Sequence, residues 1–434
     1  MKRLFPLLSI ILAATTAQSE PYCESLLHKE TLPKKYAKVA PIFSDVTNGW
    51  IFTSDQLKDR YDMKATSQKL VTAIVDEFTK RNVPLAIVVA PPRPIVAGQE
   101  QLDSAMGGNL YDVSAARASF DDLIDGLEVA GAIVPNLLNA AMAEPLVREK
   151  FYFQRDTHWT TTGAAVSAIA LAKSVNDVSP EMFPNDGQFN VQDLAASGSI
   201  DEEGSLTEIV LAACEKSLPA ETAQTYDLTR SGGLLDETTN GAQIALLGSS
   251  FSNRDKRDHY RFADALSRAF DADVENMSVS GGGPIGAIEA YILSGALDRR
   301  DHELVIWELP YTESFNSHSF LRQLLGALRK ESETLNSVEI SMESGSSLVR
   351  SLDGSPIAGI EIATSDLSKQ SFNLEIRFDN GSTSKVYLGR RNSVPVQLRS
   401  KSLSSNLSFF GDRKPLEILV SPLNGADMAD VGVY

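Results

Sequence analysis

The sequence predicts an α/β domain with a mostly parallel sheet, followed by an all-β sandwich module. Three observations carry this. Short, continuous apolar runs alternate with helical stretches through the first three quarters of the chain, as strands buried on both faces and joined by helices do. Each run breaks into Gly, Pro or Ser at its C-terminal end, where an open parallel sheet carries its functional loops. After about residue 332 the pattern changes to short alternating apolar and polar runs separated by turn residues, the period of half-buried strands.

In chain order, MKRLFPLLSIILAATTAQS carries Lys2 and Arg3, an apolar run over 4–14 and the small-x-small triplet Ala17-Gln18-Ser19. This is the composition of a secretory signal peptide over residues 1–19. An uncleaved anchor is the other reading, although the run is short for a bilayer. An exported, periplasmic protein is expected. "NGWIFTSD" (48–55) reads as a turn and a short strand. Residues 61–81 read as a helix with Leu70, Ile74, Val75 and Phe78 on its apolar face. Residues 85–90 form a buried strand stopped by Pro91-Pro92. A helix over 114–130 follows, then a short strand and helix in "AIVPNLLNAAMAE", then a small-residue helix over 164–175.

The stretch 178–204 is polar and reads as a loop. Residues 244–247 form a strand that breaks into a Gly-Ser turn, and the next helix carries Phe262, Ala265, Leu266 and Phe270. "SVSGGGPIGAIEAYIL" is a Gly-rich loop entering a helix. Residues 303–310 are one more buried strand, and 320–330 read as a connecting helix. "SVEISMES", "IAGIEIATS", "FNLEIRFDNG", "SKVYLGRR", "VPVQLRS" and "LEILVSP" then supply the strands of the β module. The expected division is 1–19, 20–331 and 332–434.

Composition narrows the function. The formal net charge is −17 over 434 residues, and loss of Lys2 and Arg3 makes it more negative. Such acidity disfavours nucleic acid as a partner, and a polyanionic substrate then needs a local basic groove. Cys23 and Cys214 are the two cysteines. In an oxidising compartment they pair as one long-range disulfide; two free buried thiols are the alternative.

"LLGSSFS" places a serine directly after a buried strand, in a Gly-supported turn near a helix N-terminus. Hydrolases present a nucleophile this way. Gly248 two residues earlier favours Ser250 over Ser249. Among the five histidines, His28, His259, His302 and His318 read as solvated surface residues. His158, in "RDTHWTTTGA", has Asp156 two residues away. In an extended segment the two side chains share one side, so the carboxylate orients the ring and leaves the other nitrogen for the serine proton. The competing reading makes His158 and Trp159 core residues, with Asp156 capping the next helix. No second His at useful spacing and no Cys pair supports a metal site, and no cofactor is expected.

Taken with their order, these pieces resemble the alginate O-acetyltransferases of the AlgX and AlgJ group, which carry an SGNH-hydrolase-like domain. The matching stretches are "GWIF", "VVAPPRP", "YDVSAARASFDDL", "DTHWTTTGA", "LLGSSFS" and "VIWELP", spread over residues 48–311. D-x-H-W before G-[ST]-S-[FY]-S is similar to that group's permuted order. The resemblance implies an SGNH-like domain followed by a carbohydrate-binding β-sandwich, and a Cys23–Cys214 disulfide. The β module here has neither Cys nor Trp, which departs from that pattern.

The resemblance further implies acetyl transfer to hydroxyls of an exported polysaccharide, most simply alginate, through an acetyl-serine. Ser250 would be the nucleophile, His158 the base and Asp156 its orienting partner. The oxyanion would meet the Ser250 N–H and a second donor, Gly281 or Gly282. Tyr311 would face the site, and Arg155 and Arg254 would contact a uronate carboxylate. Lys385, Tyr387, Arg390 and Arg391 are polysaccharide-facing candidates; an exposed strand edge fits them equally. The implied partners are the anionic polysaccharide, an acetyl donor supplied by a membrane acyltransferase, and other proteins of an export complex. An acetyl-esterase with the same triad and a non-catalytic polysaccharide-binding scaffold are the alternatives.

Overall fold

The computed structural model describes residues 20–108, 111–183, 191–229, 243–253, 260–329, 338–343 and 345–434. The signal-peptide expectation for 1–19, Arg254, His259 and the division near residue 332 lie outside them. No described helix is long and apolar enough to cross a membrane.

β1 (Ile42–Ser44) and β2 (Ile51–Thr53) pair antiparallel and lead into the helix Ala65–Lys80. β3 (Leu85–Val89) is buried at every position. The next apolar stretch contributes only Ile133, which bridges Ala86 in parallel before the helix Leu137–Met142 begins. Part of the polar stretch read as a loop is a strand. β4 (Ala196–Glu202) pairs antiparallel with β5 (Glu221–Tyr226). It is mostly exposed, so backbone pairing holds it and no apolar alternation marks it.

β6 (Ile244–Leu247), β7 (Val274–Asn276) and β8 (Leu304–Leu309) complete a four-stranded parallel sheet in the order β3-β8-β6-β7. β6 and β8 are buried throughout, which explains their unbroken apolar runs. His302, expected at the surface, is buried just before β8. Its ring bonds the Tyr291 hydroxyl at 3.3 Å and Glu275 Oε2 at 3.1 Å.

The C-terminal strands are β9 (Val338–Glu343), β10 (Ser346–Ser351), β11 (Gly359–Ala363), β12 (Ser371–Phe378), β13 (Thr383–Gly389), β14 (Ser402–Asn406), β15 (Pro415–Pro422) and β16 (Asp430–Val433). They form a five-stranded sheet, β13-β12-β15-β10-β9, and a three-stranded sheet, β14-β11-β16, all antiparallel. Phe372, Leu374, Ile376 and Ile418 from one sheet share a core with Ile360, Ile362, Leu403 and Val431 from the other, the arrangement of a sandwich.

The sandwich is docked firmly on the α/β part. The helix His318–Leu328 lies against β14 so closely that a Cβ on Gly326 would stand 2.6 Å from the Ser404 backbone. Arg322 of that helix is buried and has no carboxylate partner among the described residues. It donates to the carbonyls of Asn406 and Ser408 at 3.2 and 2.5 Å, and burial, with Arg413 nearby, pulls its guanidinium down to about 10. Arg390 pairs with Glu289 at 2.7 Å, both buried.

Candidate active site

The carboxyl ends of β6 and β8 and the turn after β2 converge on one cleft of about 460 Å³, lined among others by His158, Ser250, Phe251, Gly281, Tyr311 and Arg391. The segment RDTHWTTTGA is held on its wall by its own composition. Thr160 is the N-cap of the helix Thr161–Val178, accepting from the N–H groups of Thr162 and Gly163, so Asp156 is not the cap. Thr161 Oγ1 donates to the Gln224 carbonyl, and Thr162 Oγ1 meets the Tyr226 hydroxyl at 2.9 Å. A Cβ on Gly163 would stand 2.4 Å from the Phe151 carbonyl oxygen. These contacts fasten the helix start to β5 and leave the preceding residues to face the cleft.

Asp156 is fully buried, and its Oδ1 accepts the backbone N–H of His158 at 2.8 Å and lies 2.5 Å from His158 Nδ1. Oδ2 accepts the Ser205 N–H at 2.6 Å. Gly204, at φ +82°, lets that turn close against Arg155: a Cβ there would stand 2.3 Å from the Arg155 carbonyl oxygen. With Nδ1–H donating to the carboxylate, Nε2 is the acceptor for Ser250 Oγ–H, at 2.8 Å. Tyr260 stacks on the His158 ring at 5.1 Å and Phe251 packs against it at 4.8 Å. Trp159 Nε1 donates to the Phe251 carbonyl at 3.0 Å, which ties the histidine loop to the serine turn and gives the D-x-H-W spacing a physical purpose.

The serine turn is built on a buried acid that the sequence reading did not single out. Glu308 of β8 accepts the Ser249 N–H at 2.7 Å, the Ser249 hydroxyl at 3.0 Å and the Ser252 hydroxyl at 2.9 Å. Burial pushes its carboxyl up, and the donors, with the nearby His158, oppose that. The one available signal was an acid inside an otherwise apolar strand, "VIWELP". The N–H groups of Ser250 and Gly281 have no acceptor among the described residues.

The other expected residues divide. Tyr311 lines the cleft with a buried hydroxyl that burial holds far above the usual phenol range. Gly282 does not line it, and its N–H is engaged by the Val279 carbonyl at 2.9 Å. Arg155 lies outside the cleft, with its guanidinium 3.5 Å from Glu221. Arg391 comes from the sandwich to the cleft rim and meets Glu313 at 3.0 Å. Lys385 and Tyr387 are exposed, Lys385 standing 3.6 Å from Glu375. Arg390 is not surface-facing, because it is the buried partner of Glu289. Lys35 and Lys38 also line the cleft. Their segment is anchored by the Cys23–Cys214 disulfide and a small core of Leu26, Ile42, Ile209 and Val210. Among the described residues no group of acids, histidines or cysteines is arranged to hold a metal.

A family model described as an SGNH hydrolase-like domain, acetyltransferase AlgX, matches residues 46–311, more than half of the chain. The alginate biosynthesis protein AlgX of Pseudomonas putida is 26% identical over 328 residues, which cover 73% of this chain and 66% of that protein. The probable alginate O-acetylase AlgJ of the same organism is 25% identical over 276 residues, covering 60% and 67% respectively. The chain therefore spans just under two thirds of that AlgX relative's length. The solved structure of Pseudomonas aeruginosa AlgX superposes with a TM-score of 0.69 at 20% identity, over 95% of this chain and 98% of that one, a likeness of fold.

Proposed function

Because the chain belongs to the AlgX family of SGNH hydrolase-like acetyltransferases, we propose that it is an O-acetyltransferase acting on hydroxyls of an exported polysaccharide, with alginate the polymer its relatives' names point to. The observation that carries this reading is the continuous Asp156–His158–Ser250 relay at 2.5 and 2.8 Å. Ser250 Oγ attacks the acetyl carbonyl while its proton passes to His158 Nε2. Asp156 holds the ring in the required tautomer and stabilises the imidazolium. The N–H groups of Ser250 and Gly281 are the oxyanion donors of this scheme. His158 returns its proton to the leaving oxygen, then deprotonates a sugar hydroxyl that takes the acetyl group from Ser250.

Residues 20–331 act in this proposal as the acetyltransferase domain and 332–434 as a carbohydrate-binding module. Lys38 and Arg391 at the cleft meet polymer carboxylates, and Tyr387 and Lys385 carry the chain onward over β13. The acetyl donor comes from a membrane acyltransferase, and other export proteins are the remaining partners.

The test is acetyl transfer by the purified chain lacking residues 1–19. A chromogenic acetyl ester serves as donor and mannuronate oligomers as acceptor, with products read by mass spectrometry. Acetylated oligomers that vanish with Ser250→Ala are expected. Donor cleavage that never reaches the oligomer would make the protein an esterase. Absence of any Ser250-dependent turnover would leave a binding scaffold.

A further inference from the structure

A carboxylate buried as deeply as Glu308 is costly unless it is paired, yet no described residue forms an ion pair with it. Among the described residues, its hydrogen-bond partners are all on the turn that carries the nucleophile. That turn's donors are fully allocated except one. Glu308 takes the Ser249 N–H, and the Ser249 hydroxyl oxygen accepts the Phe251 N–H at 3.2 Å. The Ser249 carbonyl takes the N–H groups of Ser252 and Asn253 at 3.2 and 3.1 Å. The Ser250 N–H is what remains, pointing to no protein acceptor among the described residues. The close approach also explains Gly248: a Cβ there would stand 2.4 Å from Glu308 Oε2 and 2.7 Å from Ser252 Oγ.

We propose that Glu308 is the positioning residue of acyl transfer: it fixes the Gly248–Ser252 turn so that the Ser250 N–H is left for the acyl oxygen. The inference rests on the reading of Ser250 and His158 given above. In the step concerned, the Ser250 Oγ–carbon bond forms and the carbonyl π pair moves onto oxygen. The Oγ proton moves to His158 Nε2, and collapse expels the donor's oxygen with that proton. Negative charge develops on the acyl oxygen, and Glu308 acts there through the Ser250 N–H without touching substrate. Besides Asp156 and Tyr260 on the histidine side and Tyr152, which feels Glu308 electrostatically, Tyr311, Asp55, Glu313, Lys35, Lys38 and Arg391 are among the charged and titratable groups at the cleft.

The experiment measures kcat and KM for a chromogenic acetyl ester with the wild type, Glu308→Gln and Ser252→Ala. Glu308→Gln keeps the size and removes the charge. It is expected to lower kcat by on the order of 10-fold or more with KM nearly unchanged. Ser252→Ala, which removes one of the carboxylate's donors, is expected to lower kcat by less, again with KM nearly unchanged. An unchanged kcat, or a change confined to KM, would overturn the proposal. If Glu308→Gln does not fold, Ser249→Ala decides: a kcat loss at constant KM is expected, and an unchanged kcat overturns it. Wild-type turnover that survives Ser250→Ala would instead sink the reading of the nucleophile, whatever Glu308 does.

Discussion

At the scale of single residues, a few side chains carry opposed demands. Gly248 must let a buried acid reach past it, and any side chain there meets Glu308 and Ser252 at once. Gly248→Ala is therefore expected to cost about 1–3 kcal/mol by overpacking, read as a lower urea midpoint, and to reduce acetyl-ester turnover because the turn moves. The polar chemistry was legible at this scale where it was local. Asp156 and His158 lie two apart, and Ser250 follows a strand end two residues after a glycine, so sequence spacing alone brings each group to its wall. Glu308 was not legible, because its partners lie 56 to 59 residues away and meet it only when β6 and β8 pair side by side. Arg155 misled for the opposite reason: its position beside Asp156 says nothing of side-chain direction, and Glu221 takes it elsewhere.

At the scale of elements, buried strands and amphipathic helices announce themselves through period. β3, β6 and β8 were readable as unbroken apolar runs, and the helix Ala65–Lys80 as a stripe. β4 was not, since a mostly exposed strand needs no apolar alternation. Arg390 shows another limit. It follows β13 by one residue on the inward parity of Val386 and Leu388 and is buried against Glu289 while Tyr387 faces out; its charge, which marks a residue as surface, hid this. The helix Thr161–Val178 depends on its first turn, where the Thr160 hydroxyl accepts two N–H groups. Thr160→Ala is expected to cost about 1 kcal/mol, measured by urea unfolding. Its effect on turnover should exceed that of a cap lost elsewhere, because this helix start supports Asp156 and His158.

At the scale of the whole molecule, the cleft is assembled from three parts of the chain. The disulfide-anchored N-terminal segment gives Lys35 and Lys38, the turn after β6 and the loop before the helix Thr161–Val178 give the relay, and the sandwich gives Arg391. The seam is held by Glu289 and Arg390, an ion pair buried with hydrogen bonds from Gln323 to Glu289 and from Arg390 to Ser402. Arg390→Met strands Glu289 without its cation and is expected to destabilise the protein by about 3–5 kcal/mol; calorimetry should show the loss as an earlier transition. The two-part architecture was readable from the change of hydrophobic period near residue 332. The seam was not, because it joins residues about a hundred apart through side chains that composition marks as surface. The central claim is that Ser250 carries the acetyl group. Its most direct test is rapid quenching of the wild type with an acetyl donor and no acceptor, followed by peptide mass spectrometry. The account predicts one acetyl group on the peptide bearing Ser250, absent in His158→Ala and discharged when mannuronate oligomers are added. Acetylated oligomers formed at the wild-type rate with Ser250 unmodified, or with Ser250→Ala, would contradict it.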